Sequence, residues 1–289
     1  MSNKTTSAEP KFSAHVLYIM RDNPVTALSF IMFGILMFCA IFGPYIVPHD
    51  PLVTNTSIAL TPPSASHWFG TDNLGRDVFS RVIVATRLDL SISVAAVALS
   101  FVIGSLLGAS AGYWGGWLDA ILNRILDTIM AFPLFVLAMG IVAALGNTIE
   151  NIIYATAVIN IPFYARLVRA EVNIRRDAGF VQAAKLAGNS DIRILAVHIF
   201  PNALPPMMVQ ISLNLGWAIL NAAGLSFIGL GVRPPTPEWG IMVAEGANFV
   251  ISGEWWLALF PGLWLMFAVF TFNLMGDGLR DLVDPRKRT

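Results

Sequence analysis

Six stretches of mostly apolar residues limit what this chain can fold into. They lie near 25–47, 90–111, 121–145, 149–168, 205–228 and 255–276. A helix needs about 20 such residues to cross the hydrocarbon core of a bilayer. Backbone polar groups cannot stay unpaired in lipid, so helices are the natural reading, and the alternating pattern of a barrel strand is absent. The expected fold class is all-α: a polytopic membrane protein with about six transmembrane helices. Composition agrees. Hydrophobic residues make up 56% and charged residues 12%, and mean hydropathy is +0.67. Soluble domains carry roughly 25% charged residues. Membrane lipid is therefore an expected partner, and zero net charge gives no reason to expect nucleic acid.

More than twenty mostly polar residues precede the first run, which is longer than the 7–15 residues of a signal h-region. It reads as an uncleaved span. The single cysteine, Cys39, lies within it, so no disulfide framework exists in one chain. Placing the N-terminus inside and alternating leaves Arg76, Arg81, Arg87 and Arg233 as the outside cations among the 18 Lys and Arg. The bias predicts that both termini and the loop between spans four and five are cytoplasmic. The expected layout is an inner segment at 1–24 and a membrane domain at 25–289. That domain has outer segments near 48–89 and 229–254 and an inner loop near 169–204. In the first outer segment, Val78 to Leu90 reads as helix, with Thr71, Asp72 or Asn73 as candidate caps. In the second, the prolines after Arg233 keep the chain extended up to Gly240.

Span two carries Gly104, Gly108 and Gly112 in register with Ala96 and Ser100. Small residues four apart make a groove for another helix, from this chain or from a partner subunit. Span five carries Gln210, Asn214 and Asn221 within roughly 40° on a helical wheel, with Trp217 on the same side. Such a stripe avoids lipid. It serves either interhelical hydrogen bonds or a polar solute pathway. Pro133, Pro162 and Pro261 interrupt spans three, four and six, and each removes a helical hydrogen bond. Arg124 and Asp127 are spaced to pair on one face.

No phosphate loop, H-E-x-x-H or G-x-S-x-G motif occurs. The expectation is no catalytic residue, no enzyme activity and no cofactor bound by this chain. His15, His49, His67 and His198 are scattered, so no metal site is expected.

The inner loop is the most informative segment. Phe180, Val181, Gln182, Ala183, Ala184, Lys185 and Leu186 read as a short helix that Gly188 ends, a docking knob at the membrane surface. A charge at Ala184 is expected to weaken docking by entering an apolar contact. This loop resembles the "EAA" signature of bacterial ABC importer permeases, E-A-A-x3-G followed by I-x-L-P. Ala183, Ala184, Gly188 and Pro201 match, while Gln182, His198 and Phe200 replace Glu, Ile and Leu. His67 to Arg81, Leu225 to Gly240 and the tail Asn273 to Arg286 are similar to segments of the dipeptide/oligopeptide/nickel branch. The resemblance covers about Asn23 to Arg288.

It implies a type I importer permease fold in the bacterial inner membrane. The implied partners are a homologous second permease subunit (a heterodimer), two ATPase subunits holding ATP and Mg2+, and an external solute-binding protein. The cargo is a dipeptide, an oligopeptide or a related small solute. An ion-coupled secondary transporter is the alternative. It would be expected to carry ionisable residues deep in the membrane or inverted repeats, and neither is evident.

Overall fold

The computed structural model describes residues 23–283. Residues 1–22 of the expected inner segment 1–24 and the tail from Asp284 to Arg286 lie outside the described residues. Among the described residues the chain is helical, with one isolated bridge between Thr71 and Asp77.

Helix α1 spans Pro24–Ile46. Proline at its first position and Asn23, whose side chain accepts from Val25 N at 3.1 Å, set its start. One face exposes Leu28, Ile31, Ile35, Phe38 and Phe42, and the other buries Ser29, Met32, Leu36 and Gly43. An apolar face this large suits lipid.

Helix α2 spans Val78–Trp114. Its cap is Asp77, which accepts from Ser80 N at 2.8 Å, and not Thr71, Asp72 or Asn73. Those residues are taken up by a tight loop: Asp72 N donates to Arg76 O and Asp72 Oδ1 accepts from Arg76 N. At 1.5 Å per residue α2 is about 55 Å long, well beyond a hydrocarbon core of about 30 Å. Residues 78–89, read as part of an outer segment, are its first turns.

The third apolar run is broken. Helices α3 (Gly116–Met130) and α4 (Leu134–Leu145) meet at 88°. The break falls at Pro133, which cannot donate to the ladder and disfavours helix in the residue before it. At about 18 Å, α4 alone cannot cross the core, and only together with α3 is it long and apolar enough to be a candidate span. Five single-helix candidate spans, with this pair counted as one, reach the expected six. Pro162 and Pro261, by contrast, lie inside the unbroken helices α5 (Ile149–Arg175) and α9 (Trp256–Val283).

The short helix α6 (Gly179–Leu186) precedes α7, a rod spanning Asp191–Phe227 that includes a π-helical turn at Ile194–Ile199. The fifth span and the helical stretch before it are therefore one element. Helix α8 (Trp239–Ala247) packs between α7 and α9.

The groove on α2 receives α5. A Cβ added at Gly108 would sit 2.2 Å from Ala165 O, and one at Gly104 would sit 2.8 Å from Ile161 O. Of the two readings of the glycine row, packing within this chain is the one observed. Asp127 does not pair with Arg124; its carboxylate meets Arg166 Nη2 of α5 at 2.5 Å. Asp119 makes a fork with Arg169, at 2.5 and 2.6 Å. These two pairs fasten α3 to α5.

Candidate coupling helix and translocation cavity

Helix α6 has two unlike faces. Val181 and Ala184 are buried in a cluster with Val168 and Val172 of α5, Ile194, Ile199 and Met207 of α7, and Ala109 of α2. Phe180 and Leu186 point outward, Leu186 at 91% exposure. Gln182, Ala183 and Lys185 are also exposed. The structure thus revises the expectation for Ala184. A charge there would meet the chain's own helices, so Ala184→Asp is expected to unseat α6 before any partner is involved, read as a lower melting temperature.

Polar contacts tie the knob to the end of α2. Tyr113 donates to Asp191 at 2.6 Å, and Lys185 Nζ sits 5.7 Å from the Tyr113 ring centroid. Arg176 Nη1 donates to Gly112 O at 3.2 Å. At the start of α6, Gln182 Nε2 donates to Asp177 O at 3.2 Å, a bond that the family's Glu cannot make when ionised. Gly188 ends the helix with φ +79°, the left-handed turn that glycine adopts without strain. Asn189 then closes onto Ala184 O through both its backbone and side-chain nitrogens. The knob is a fastened block between three long helices.

Further along α7, Gln210, Asn214, Trp217 and Asn221 line one cavity of about 570 Å³. Gln210 Nε2 donates to Asn214 Oδ1 at 3.0 Å, so part of the stripe is bonded within its own helix. The α3–α4 bend contributes Pro133, Leu134 and Phe135, α5 contributes Asn160, and α9 contributes Asn273. Sequence reading missed Asn160 and Asn273, although a carboxamide within an apolar span is itself a signal. Among the described residues, five carboxamides and no ionisable side chain line the cavity. Trp217 stays 62% exposed on its open side.

At the other end of α2, Trp239 is fully buried, its Nε1 donating to Val82 O at 3.0 Å and its backbone N to Asp89 Oδ2 at 3.2 Å. Glu238 caps α8 by accepting from Gly240 N at 2.9 Å and Ile241 N at 2.8 Å. Its carboxyl group also meets that of Asp89. Burial pushes the Glu238 carboxyl above the ordinary carboxylate range, while the Ile241 and Gly240 amides pull it back. Sequence patterning did not reveal this acid pair.

Residues 104–289 match the family described as the binding-protein-dependent transport system inner membrane component. Residues 12–63 match the N-terminal TM domain of oligopeptide transport permease C. The chain is 43% identical over 291 residues to the probable D,D-dipeptide transport system permease protein of Escherichia coli (strain K12), covering 99% of this chain and 97% of that one. It is 42% identical over 270 residues to the dipeptide transport system permease protein of Alkalihalophilus pseudofirmus, covering 93% and 88%. It is 43% identical over 264 residues to a glutathione transport system permease protein of Escherichia coli O6:K15:H31, covering 91% and 86%. These likenesses show the family: the chain belongs to the binding-protein-dependent transport system inner membrane component family, and is a multi-pass inner-membrane permease subunit of an ABC importer, of the dipeptide/oligopeptide type.

Proposed function

We propose that this permease forms one half of a pathway for small peptides and that α6 is the lever through which two ATPase subunits, holding ATP and Mg2+, move it. In this reading α6 and both termini face the cytoplasm. A homologous second permease closes the open side of the cavity at Trp217, and an external solute-binding protein delivers cargo. The observation that carries the proposal is mechanical. The knob sits against the rod that carries the carboxamide stripe, since α6 packs on the first turns of α7 and α7 runs on through Asn221. ATP binding shifts the pathway only if the docked ATPases hold the two states with different affinity, and a fastened knob converts that difference into helix movement.

The cavity lining suits peptides of varied side chain. Carboxamides both donate and accept, so they satisfy peptide amides and carbonyls. With no fixed charge in the lining, no ion pair traps a cargo carrying charge of either sign. The relatives named for dipeptides and glutathione support this cargo class.

The test is uptake of a labelled dipeptide by vesicles holding the complete transporter and its binding protein. Leu186→Asp changes a side chain that is 91% exposed, so stability should move by about 0.5 kcal/mol or less. Uptake should fall at least tenfold, and the ATPases should no longer co-purify. Normal uptake by Leu186→Asp would remove α6 as the docking element. Labelling of residues 180–186 from the external side would overturn the orientation.

A further inference from the structure

Three side chains that sequence reading left scattered come together before α2. One ring nitrogen each from His49 and His67 and one carboxylate oxygen of Asp77 all lie within 4.8 Å of one another. The imidazole rings are 4.6 Å apart at their centroids, tilted by 31°. A cavity of about 350 Å³ opens beside them, also lined by Asp50 and Asn55.

Helix capping accounts for only part of this cluster. Asp77 Oδ2 accepts from Ser80 N and Ser80 Oγ. Asp77 Oδ1 lies 2.9 Å from His67 Nδ1. His49 has no part in the cap. It is exposed, held by a bond from its Nε2 to Ser66 O at 2.9 Å and by its own backbone N–H to Ser80 Oγ at 3.3 Å. A buried carboxylate calls for a compensating cation or metal. The neighbouring arginines go elsewhere: Arg76 to Asp72 and Glu245, and Arg81 to Asp72. Among the described ion pairs Asp77 meets only His67.

We propose that His49, His67 and Asp77 bind a divalent late-transition-metal cation of the zinc class. Two imidazoles and a carboxylate with an open fourth position are a ligand set that zinc accepts. Bonds of about 2.0–2.2 Å in tetrahedral arrangement put ligand atoms about 3.3–3.6 Å apart. The His67–Asp77 pair is already near that spacing, with a proton where the metal would go. His49 has to swing inward, and as the exposed member it gives up one surface hydrogen bond to do so. Water from the cavity takes the fourth position. The bound ion would clip the loop carrying His49 to the N-terminus of α2, closing the 48–77 segment at its base.

The test uses the full chain purified in detergent, stripped with a chelator and titrated with Zn2+ by calorimetry. One equivalent should bind, and Zn2+ should raise the melting temperature. His49→Asn removes a ligand at an exposed position without touching the cap, so the stripped protein should melt like wild type. Its Zn2+ affinity should drop at least about tenfold. His198→Ala, outside the cluster, should bind as wild type does. Visible d–d bands on Co2+ substitution, lost in His49→Asn, would add the geometry. Absence of binding, or binding that His49→Asn leaves unchanged, overturns the proposal.

Discussion

Gly108→Ala is expected to leave little correctly assembled permease, although it adds one methyl group. The new Cβ would lie 2.2 Å from Ala165 O and 2.9 Å from Ala165 C and Cα. Carbon and carbonyl oxygen approach to about 3.3 Å, so α2 and α5 must part by about 1 Å. Backbone cannot turn aside as a flexible side chain can. Gly104 and Gly112 sit on the same seam, with built Cβ positions 2.7 Å from Tyr164 Cβ and 2.8 Å from Arg169 O, so separation at Gly108 loosens contacts above and below it. Overpacking a tight interior costs about 1–3 kcal/mol, occasionally more, and this site belongs at the upper end. Total stabilities of about 5–15 kcal/mol make that a large share. The consequence reaches function, because α5 supplies Asn160 to the cavity and Val168 and Val172 to the seat of α6. The control is Gly140→Ala on α4, where nothing lies within 4 Å of the added carbon. It should melt at or above wild type. The measurement is thermal melting with recovery of monodisperse protein after extraction. Equal behaviour of the two variants would mean that α2 and α5 do not pack this closely.

The parts of this molecule that sequence reveals are those governed by local period. Runs of apolar residues located the spans because crossing lipid requires them, and glycines four apart marked the face of α2 that a helix must approach. The stripe from Gln210 to Asn221 emerged because helical spacing puts those side chains on one side. Local period failed where contact is made across sequence. Asn160 and Asn273 join the cavity from helices whose own patterns show only an isolated amide. The 88° turn at Pro133 was legible as an interruption, not as an angle, since proline's effect depends on what packs around the freed backbone. Capping misled because four acceptors crowd the approach to α2. The tight loop consumes Thr71 and Asp72 before Asp77 reaches the helix start. Asp89 and Glu238 meet only because α8 folds back onto α2.

That acid pair sets the last expectation: the packing of α8 on α2 loosens as pH rises, and Glu238→Gln weakens the dependence. Glu238 is 1% exposed and Asp89 is 2% exposed. Two carboxyl groups in contact at this depth hold a proton between them, because two buried like charges are costly. The Glu238 value in the folded protein is raised above its unfolded one, chiefly by burial. A raised value means that the folded state binds a proton which the unfolded chain releases. The associated stability is therefore whole below the unfolded glutamate value of about 4.3. It is lost as pH rises through the folded value, at about 1.4 kcal/mol for each pH unit separating the two. Glutamine keeps one oxygen for the Gly240 and Ile241 amides and offers its NH2 to Asp89, which leaves Asp89 as the acid of the pair still able to titrate. Glu238→Gln should lessen the fall in melting temperature as pH rises above about 4.3. Glu238→Ala strips both amides of their acceptor beside the fully buried Trp239. A lost cap and unsatisfied buried donors together cost about 2–4 kcal/mol, so this variant should melt far lower at every pH. A Glu238→Gln protein with the wild-type slope would place the titrating group elsewhere. A Glu238→Ala protein of wild-type stability would mean that α8 is held by its apolar contacts alone.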